Sequence, residues 1–177
     1  MEEKRNMLEA KIKDFCFRSY QSISLGLDAD QYPDLESLAR ELLSYQKENH
    51  PVYNKYCNFF SDLKAHSPLG GYLPLPTTSF KRSELFPFPT SSAVAAFQSS
   101  GTTEESKSRH YFRDLSLMQA SIFQFFTPMA THGILGKARY ISLMPPHEEL
   151  LSSSLAYMLT QLVRILGDKN SGFAFSV

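Results

Sequence analysis

A chain of 177 residues is long enough to bury one substantial core. Its 18 basic and 18 acidic residues cancel, which leaves no electrostatic footprint for nucleic acid or an anionic membrane surface. No apolar run approaches the ~20 residues of a membrane span, and the charged opening MEEKRNMLEAKIKDF lacks the apolar stretch of a secretory signal. The 14 Phe and 9 Tyr suit an ordinary core and an apolar substrate channel equally well. Cys16 and Cys57 lie far apart among apolar helical residues, with no Cys-x-x-Cys or His-x-x-x-His near them. A reducing, cytoplasmic setting is therefore expected, and a structural metal is not.

Residues 1–25 predict an amphipathic helix, with Leu8, Ile12, Phe15, Cys16, Ser19 and Ile23 at helical spacing. Gly26 and Pro33 break it. Asp34 is placed to cap a second helix, with Leu35, Leu38, Leu42, Leu43 and Tyr45 on its apolar face. Pro51 opens a third, with Tyr53, Tyr56, Cys57, Phe60 and Leu63 facing inward. Residues 66–89 change character, with seven of the chain's Pro and Gly residues clustered there. Long irregular segments inside a domain are often functional. The segment predicts an extended wall beside the loop that follows. On that reading Thr77, Thr78, Ser79, Lys81 and Arg82 face a ligand; on the alternative they face solvent.

Residues 93–110, AVAAFQSSGTTEESKSRH, carry the chemistry. The spacing predicts a strand, a loop and then a helix over 109–126. Gly101 allows close approach of the main chain. Ser99, Ser100, Thr102 and Thr103 offer hydroxyls, and Lys107 a cation that reaches a terminal phosphate. A helix beginning at Arg109 and His110 would aim its positive end at the same place. Gly101, Ser106, Lys107 and Ser108 match the P-loop pattern except for its second Gly, and no apolar strand ending in Asp follows to hold magnesium. A Ser/Thr/Gly cluster of this kind also occurs as a plain polar loop.

The predicted helix over 109–126 carries Tyr111, Phe112, Leu115, Met118, Ile122, Phe123 and Phe126. Residues 139–144 alternate into a short strand ended by Pro145 and Pro146. His147 follows at the strand tip, a common ligand position in open α/β sheets. A helix is expected over 148–166, burying Leu150, Leu151, Leu155, Met158, Leu159, Leu162 and Ile165, with Gly167 stopping it. A last strand is expected from Gly172.

Ser99-Ser100-Gly101-Thr102-Thr103, with Lys107 four places on, resembles the phosphate loop of adenylate-forming enzymes, Thr-Ser-Gly-Thr-Thr-Gly-x-Pro-Lys. Glu104 stands for the second Gly of that pattern and Ser106 for its Pro. The ordered set LPLPTTSFKRSELF, FQSSGTT, SRHYFRDLSL, YISLMP and SSLAYM is similar to the LuxE family of acyl-protein synthetases over roughly residues 10–177. That resemblance implies an α/β fold in which N-terminal helices (residues 1–65) precede an adenylate-forming-enzyme-like partial sheet with helices packed on it. Residues 66–177 would be its nucleotide-binding region. It implies ATP and Mg²⁺ as cofactors and a fatty acid as substrate. Ser99, Ser100, Gly101, Thr102, Thr103, Lys107, Arg109 and His110 would bind nucleotide, with Lys107 and Thr102 catalytic and Thr102 on the metal. An acyl reductase-type protein is the implied partner, and the thiol acceptor has no counterpart in Cys16 or Cys57. The late segments of such enzymes find no match, so the chain is expected to be the N-terminal half of one. Its unpaired sheet edge would favour self-association, and a large exposed apolar patch is expected where the rest belongs. The competing expectations are a non-catalytic binding or assembly module and a P-loop-like nucleotide binder.

Overall fold

The computed structural model describes residues 2–24, 34–61, 73–82, 85–99, 107–126 and 138–175. Helix α1 (Glu2–Ser24) lies against α2 (Asp34–Asn49). Lys4 and Lys11 bridge them, each 2.6 Å from its partner, Glu48 and Glu41. These pairs are exposed and contribute little; the buried Leu8 of α1 marks the packed face. Leu35, expected inward, is exposed. Helix α3 (Pro51–Phe59) starts where predicted: Pro51 cannot donate a backbone hydrogen bond, and the His50 imidazole accepts the Tyr53 N–H at 3.2 Å. Tyr53 and Cys57 are buried, and the Tyr53 hydroxyl donates to the Leu73 carbonyl at 3.2 Å. Leu63 lies outside the described residues.

The stretch expected to be an extended wall contains a helical turn, α4 (Ser79–Arg82). Backbone bonds from Ser79 to Pro76 and from Phe80 to Thr77 close it. The Pro-rich composition hid this turn, although Pro76 is placed just before it and its carbonyl accepts the Ser79 N–H.

Strand β1 (Ala95–Gln98) pairs antiparallel with β2 (Arg109–Phe112), with Phe97 opposite His110 and Gln98 opposite Arg109. The expected helix over 109–126 is therefore corrected: its first four residues are a strand, and α5 (Ser116–Ser121) begins later, running into a π-helical turn, Ile122–Phe126. Tyr111, Leu115, Met118 and Ile122 do sit at helical spacing, but pairing with β1 claims the first of them. The Asp114 carboxylate accepts the Ser116 N–H at 2.6 Å and marks the true start.

Strand β3 (Ile141–Ser142), helix α6 (Ser154–Leu166) and strand β4 (Gly172–Phe173) follow, with β3 and β4 parallel. A parallel pair needs a crossover, and α6 supplies it. The helix expected from residue 148 starts six residues later, at Ser154, after a 3₁₀ turn, His147–Glu149. The Ser153 hydroxyl accepts the Ala156 N–H at 3.1 Å and caps it. Its buried face is Ala156, Tyr157, Thr160, Leu162 and Val163. Leu151, Leu155 and Ile165, expected inward, are exposed.

Phe97, Ile122, Tyr157 and Leu162 form the core between the hairpin, α5 and α6, with Phe112, Leu115, Met118 and Leu159 packed around them. Helix α1 packs on α5, and the Lys13 ammonium donates to the Ser116 hydroxyl at 2.8 Å. Among the described residues the fold is mixed α/β, mostly helical, with two small sheets of two strands. Among the described residues, no helix is long and apolar enough to cross a membrane.

Candidate functional site at the neck of the hairpin

The β1–β2 pair brings both ends of the Ser/Gly/Thr loop together. The Ser99 N–H donates to the Ser108 carbonyl at 3.0 Å, and the Ser108 N–H donates to the Ser99 hydroxyl oxygen at 3.1 Å. Ser108 is buried by this exchange, while Lys107 beside it is exposed. The Ser99 hydroxyl thus has a structural duty, and its own hydrogen remains available to donate. Ser100, Gly101, Thr102 and Thr103 lie outside the described residues.

Arg109 and His110 sit in β2 and not at a helix start. The helix-dipole argument for them therefore falls, and so does the P-loop expectation, which needs a helix directly after the loop. Cross-strand partners share a face. His110 accordingly shares one with Phe97 and Phe112, and Arg109 shares the other with Gln98 and Tyr111. Phe80 of α4 lies over the His110 ring, centroids 4.7 Å apart. Within the Thr77–Arg82 stretch Phe80 thus reaches the hairpin, while Thr77, Thr78 and Lys81 are exposed. Sequence reasoning passed over Phe80 because it looked for polar groups.

His147 stands on the other side of Phe97, ring centroids 6.0 Å apart, and meets Tyr157 edge-on at 5.2 Å. Its backbone N–H donates to the Thr160 hydroxyl oxygen at 2.8 Å, and Thr160 is 1% exposed. The imidazole Nδ1 is buried with no hydrogen-bond partner. Gln119 donates to the Tyr157 hydroxyl at 2.9 Å. The Gln98 N–H donates to the Ser152 carbonyl at 2.8 Å, which ties the end of β1 to the turn carrying His147. Phe97 is therefore flanked by a cross-strand histidine and a packed one. Gln119 and Tyr157 had no local signal; only the packing of α5 on α6 joins them.

The neck offers phosphate oxygens what they accept: the Ser99 hydroxyl, the Lys107 ammonium and the Arg109 guanidinium. For magnesium, no group of three His, Cys, Asp or Glu gathers among the described residues.

The cysteines make poor nucleophiles. Cys57 is buried, and burial pushes the Cys16 thiol above its ordinary range.

No family model, curated protein or solved structure shows a significant match to the chain.

Proposed function

We propose that this chain is an ATP-dependent acyl-activating protein of the LuxE type that receives nucleotide phosphates at the β1–β2 loop. The observation that carries the reading is the closed neck. Ser99 and Ser108 fix where the loop leaves and re-enters the sheet, with Lys107 exposed at that point. The ordered resemblance to LuxE proteins supports it, and so would the adenylate-forming fold that the resemblance implies.

In the reaction, an oxygen of a fatty acid carboxylate attacks the α-phosphorus of ATP, the bond to the β-phosphate oxygen breaks, and pyrophosphate leaves. Lys107 offsets the charge that gathers on the leaving group. Ser99, Ser100, Gly101, Thr102 and Thr103 provide hydroxyl and backbone donors, and Arg109 a second cation. Thr102 would hold Mg²⁺ brought with the nucleotide, and the ion would supply positive charge against the phosphate oxygens. His110 is held against Phe80 and lines the approach. In the second step a thiolate attacks the acyl carbonyl carbon and AMP leaves. Neither described cysteine suits that role, Cys57 being buried and the Cys16 thiol raised; the resemblance assigns the acyl group to a late cysteine of the family.

The test is exchange of labelled pyrophosphate into ATP in the presence of a panel of fatty acids. The reading expects label incorporation that requires a fatty acid and is lost in Lys107→Ala. A folded chain that catalyses no exchange with any acid of the panel contradicts it.

Exposed apolar side chains around β3 and β4 fit the patch that an N-terminal half would leave, and a docking module of a reductase-type complex is the second reading. Ile141, Leu143 and Phe175 are all more than half exposed there. Patches of this kind mark interaction surfaces. Partner binding without pyrophosphate exchange would favour it.

A further inference from the structure

A cavity of about 600 Å³ opens between α1, α2 and the turn that joins β2 to α5. That volume suits a small organic ligand. Contacts that need no ligand hold its walls in place. Lys4 and Lys11 tie α1 to Glu48 and Glu41 of α2, and Lys13 ties it to Ser116 at the start of α5. The Tyr111 ring meets Phe86 edge-on, centroids 4.9 Å apart, and Phe88 lies under the Arg113 guanidinium at 5.7 Å. A preformed cavity spares a ligand the cost of ordering its walls. Tyr111 pairs with Ala96, away from the loop neck at Gln98 and Arg109. The cavity is thus separate from the proposed nucleotide site and does not rest on that reading.

Each charged group of the wall is already engaged. Arg5 lies between Glu2 Oε1 at 3.5 Å and Glu9 Oε1 at 3.4 Å, with Asn6 Oδ1 at 3.3 Å. The Asp114 carboxylate accepts the Ser116 N–H at 2.6 Å, and Arg113 is taken up by the Phe88 ring. Glu2, Glu9 and Asp114 outnumber the two guanidiniums, which disfavours an anion. A cation would enter beside Arg5 and Arg113 and compete with Arg5 for carboxylates it already holds. What the wall leaves to a ligand is chiefly apolar. It comprises Leu8 and Ile12, one turn apart on α1, Leu117 of α5, and the rings of Tyr45, Phe88 and Tyr111.

We infer that this cavity binds an uncharged, flat aromatic molecule, its rings among Tyr45, Phe88 and Tyr111 and its remaining surface against Leu8 and Leu117. A charged ligand would give up water there without finding a free partner, whereas an uncharged one gives up little. Aromatic walls favour an aromatic body, which gains stacking or edge contacts beyond its buried area.

The experiment is fluorescence titration of the full chain, without nucleotide, with N-phenyl-1-naphthylamine and with 8-anilino-1-naphthalenesulfonate, the same ring body carrying a negative charge. The expected result is saturable binding of the uncharged probe, at least tenfold tighter than that of the sulfonate. 2-Naphthol should displace it better than decahydro-2-naphthol, which has the same carbon skeleton without the aromatic rings. Leu117→Trp, which adds bulk inside the cavity, should weaken the probe at least tenfold. Amide signals of Leu8, Tyr45 and Tyr111 in the unsubstituted chain should shift on adding the probe, a readout that needs no variant to fold. The inference is overturned by absent binding of the uncharged probe, by a sulfonate that binds as tightly, by equal displacement by the two naphthols, by undiminished binding to a folded Leu117→Trp, or by shifts confined to other residues.

Discussion

The Ser99 hydroxyl accepts a backbone N–H that lies in a buried residue, so its loss has a structural cost apart from any ligand. Ser99→Ala leaves the Ser108 N–H without that acceptor. A loss of about 1–2 kcal/mol is expected in chemical denaturation, as for a buried donor left unsatisfied. Tyr53 makes a separate prediction. Burial, with the neighbouring Cys57 thiol, pushes its phenol up to about 12. Its folded value is raised above the unfolded one, so the stability it contributes is full below about pH 10. That contribution is lost as pH rises from there through about 12. In ultraviolet titration of the folded chain, Tyr53→Phe should remove a late component near pH 12. At the acid end, the hydrogen bonds from Arg164, at 2.8 and 2.9 Å, hold the Glu148 carboxyl below its usual range. That pair favours the fold above the ordinary glutamate range and ceases to as pH falls through the depressed value. Its exposure keeps the effect small.

Among the elements, α6 is set by its two ends. Ser153 caps the start, and Ser153→Ala should cost about 1 kcal/mol. At the other end Gly167 is required by close approach and not by an unusual backbone angle. A Cβ there would meet the Val163 carbonyl oxygen at 2.1 Å and the Ser171 Cβ at 2.6 Å. Neither the helix backbone nor the β4 approach can give way freely. Gly167→Ala should therefore lower stability by about 3 kcal/mol, the upper end of ordinary overpacking, seen as a fall in thermal midpoint. The start of α2 at Asp34, the Pro51 start of α3 and the Gly167 stop of α6 were legible in the sequence, because caps, Pro and Gly act locally. Strand β2 was not. Its four residues continue an apolar period that runs on into α5, and only pairing with β1 gives them extended backbone. The inward face of α6 was misread for a related reason. Apolar residues occupy more than one side of that helix, so the sequence pattern alone did not separate the buried face from Leu155 and Ile165. At the site, Ser99 and Lys107 were legible as loop chemistry. Phe80, Gln119 and Tyr157 were not, since contacts across long sequence separations place them.

For the molecule as a whole, Phe97 is the point where the hairpin, α5 and α6 meet, at 3% exposure and with rings of Phe112, His147 and Tyr157 about it. Phe97→Ala should cost about 3–5 kcal/mol, a large part of the total stability of a small domain. Because β1 carries Phe97 two positions before Ser99, the same change should loosen the neck and weaken any ligand held there. The central claim is that this neck presents the Ser/Gly/Thr loop to nucleotide phosphates. Calorimetric titration of the chain with Mg²⁺ and ATP, beside Lys107→Ala and Thr102→Ala, tests it most directly. The account predicts binding to the unsubstituted chain that each substitution weakens by about tenfold or more, 1.4 kcal/mol per factor of ten, with thermal stability unchanged. Binding that survives both substitutions, or no binding by a folded chain, would contradict it.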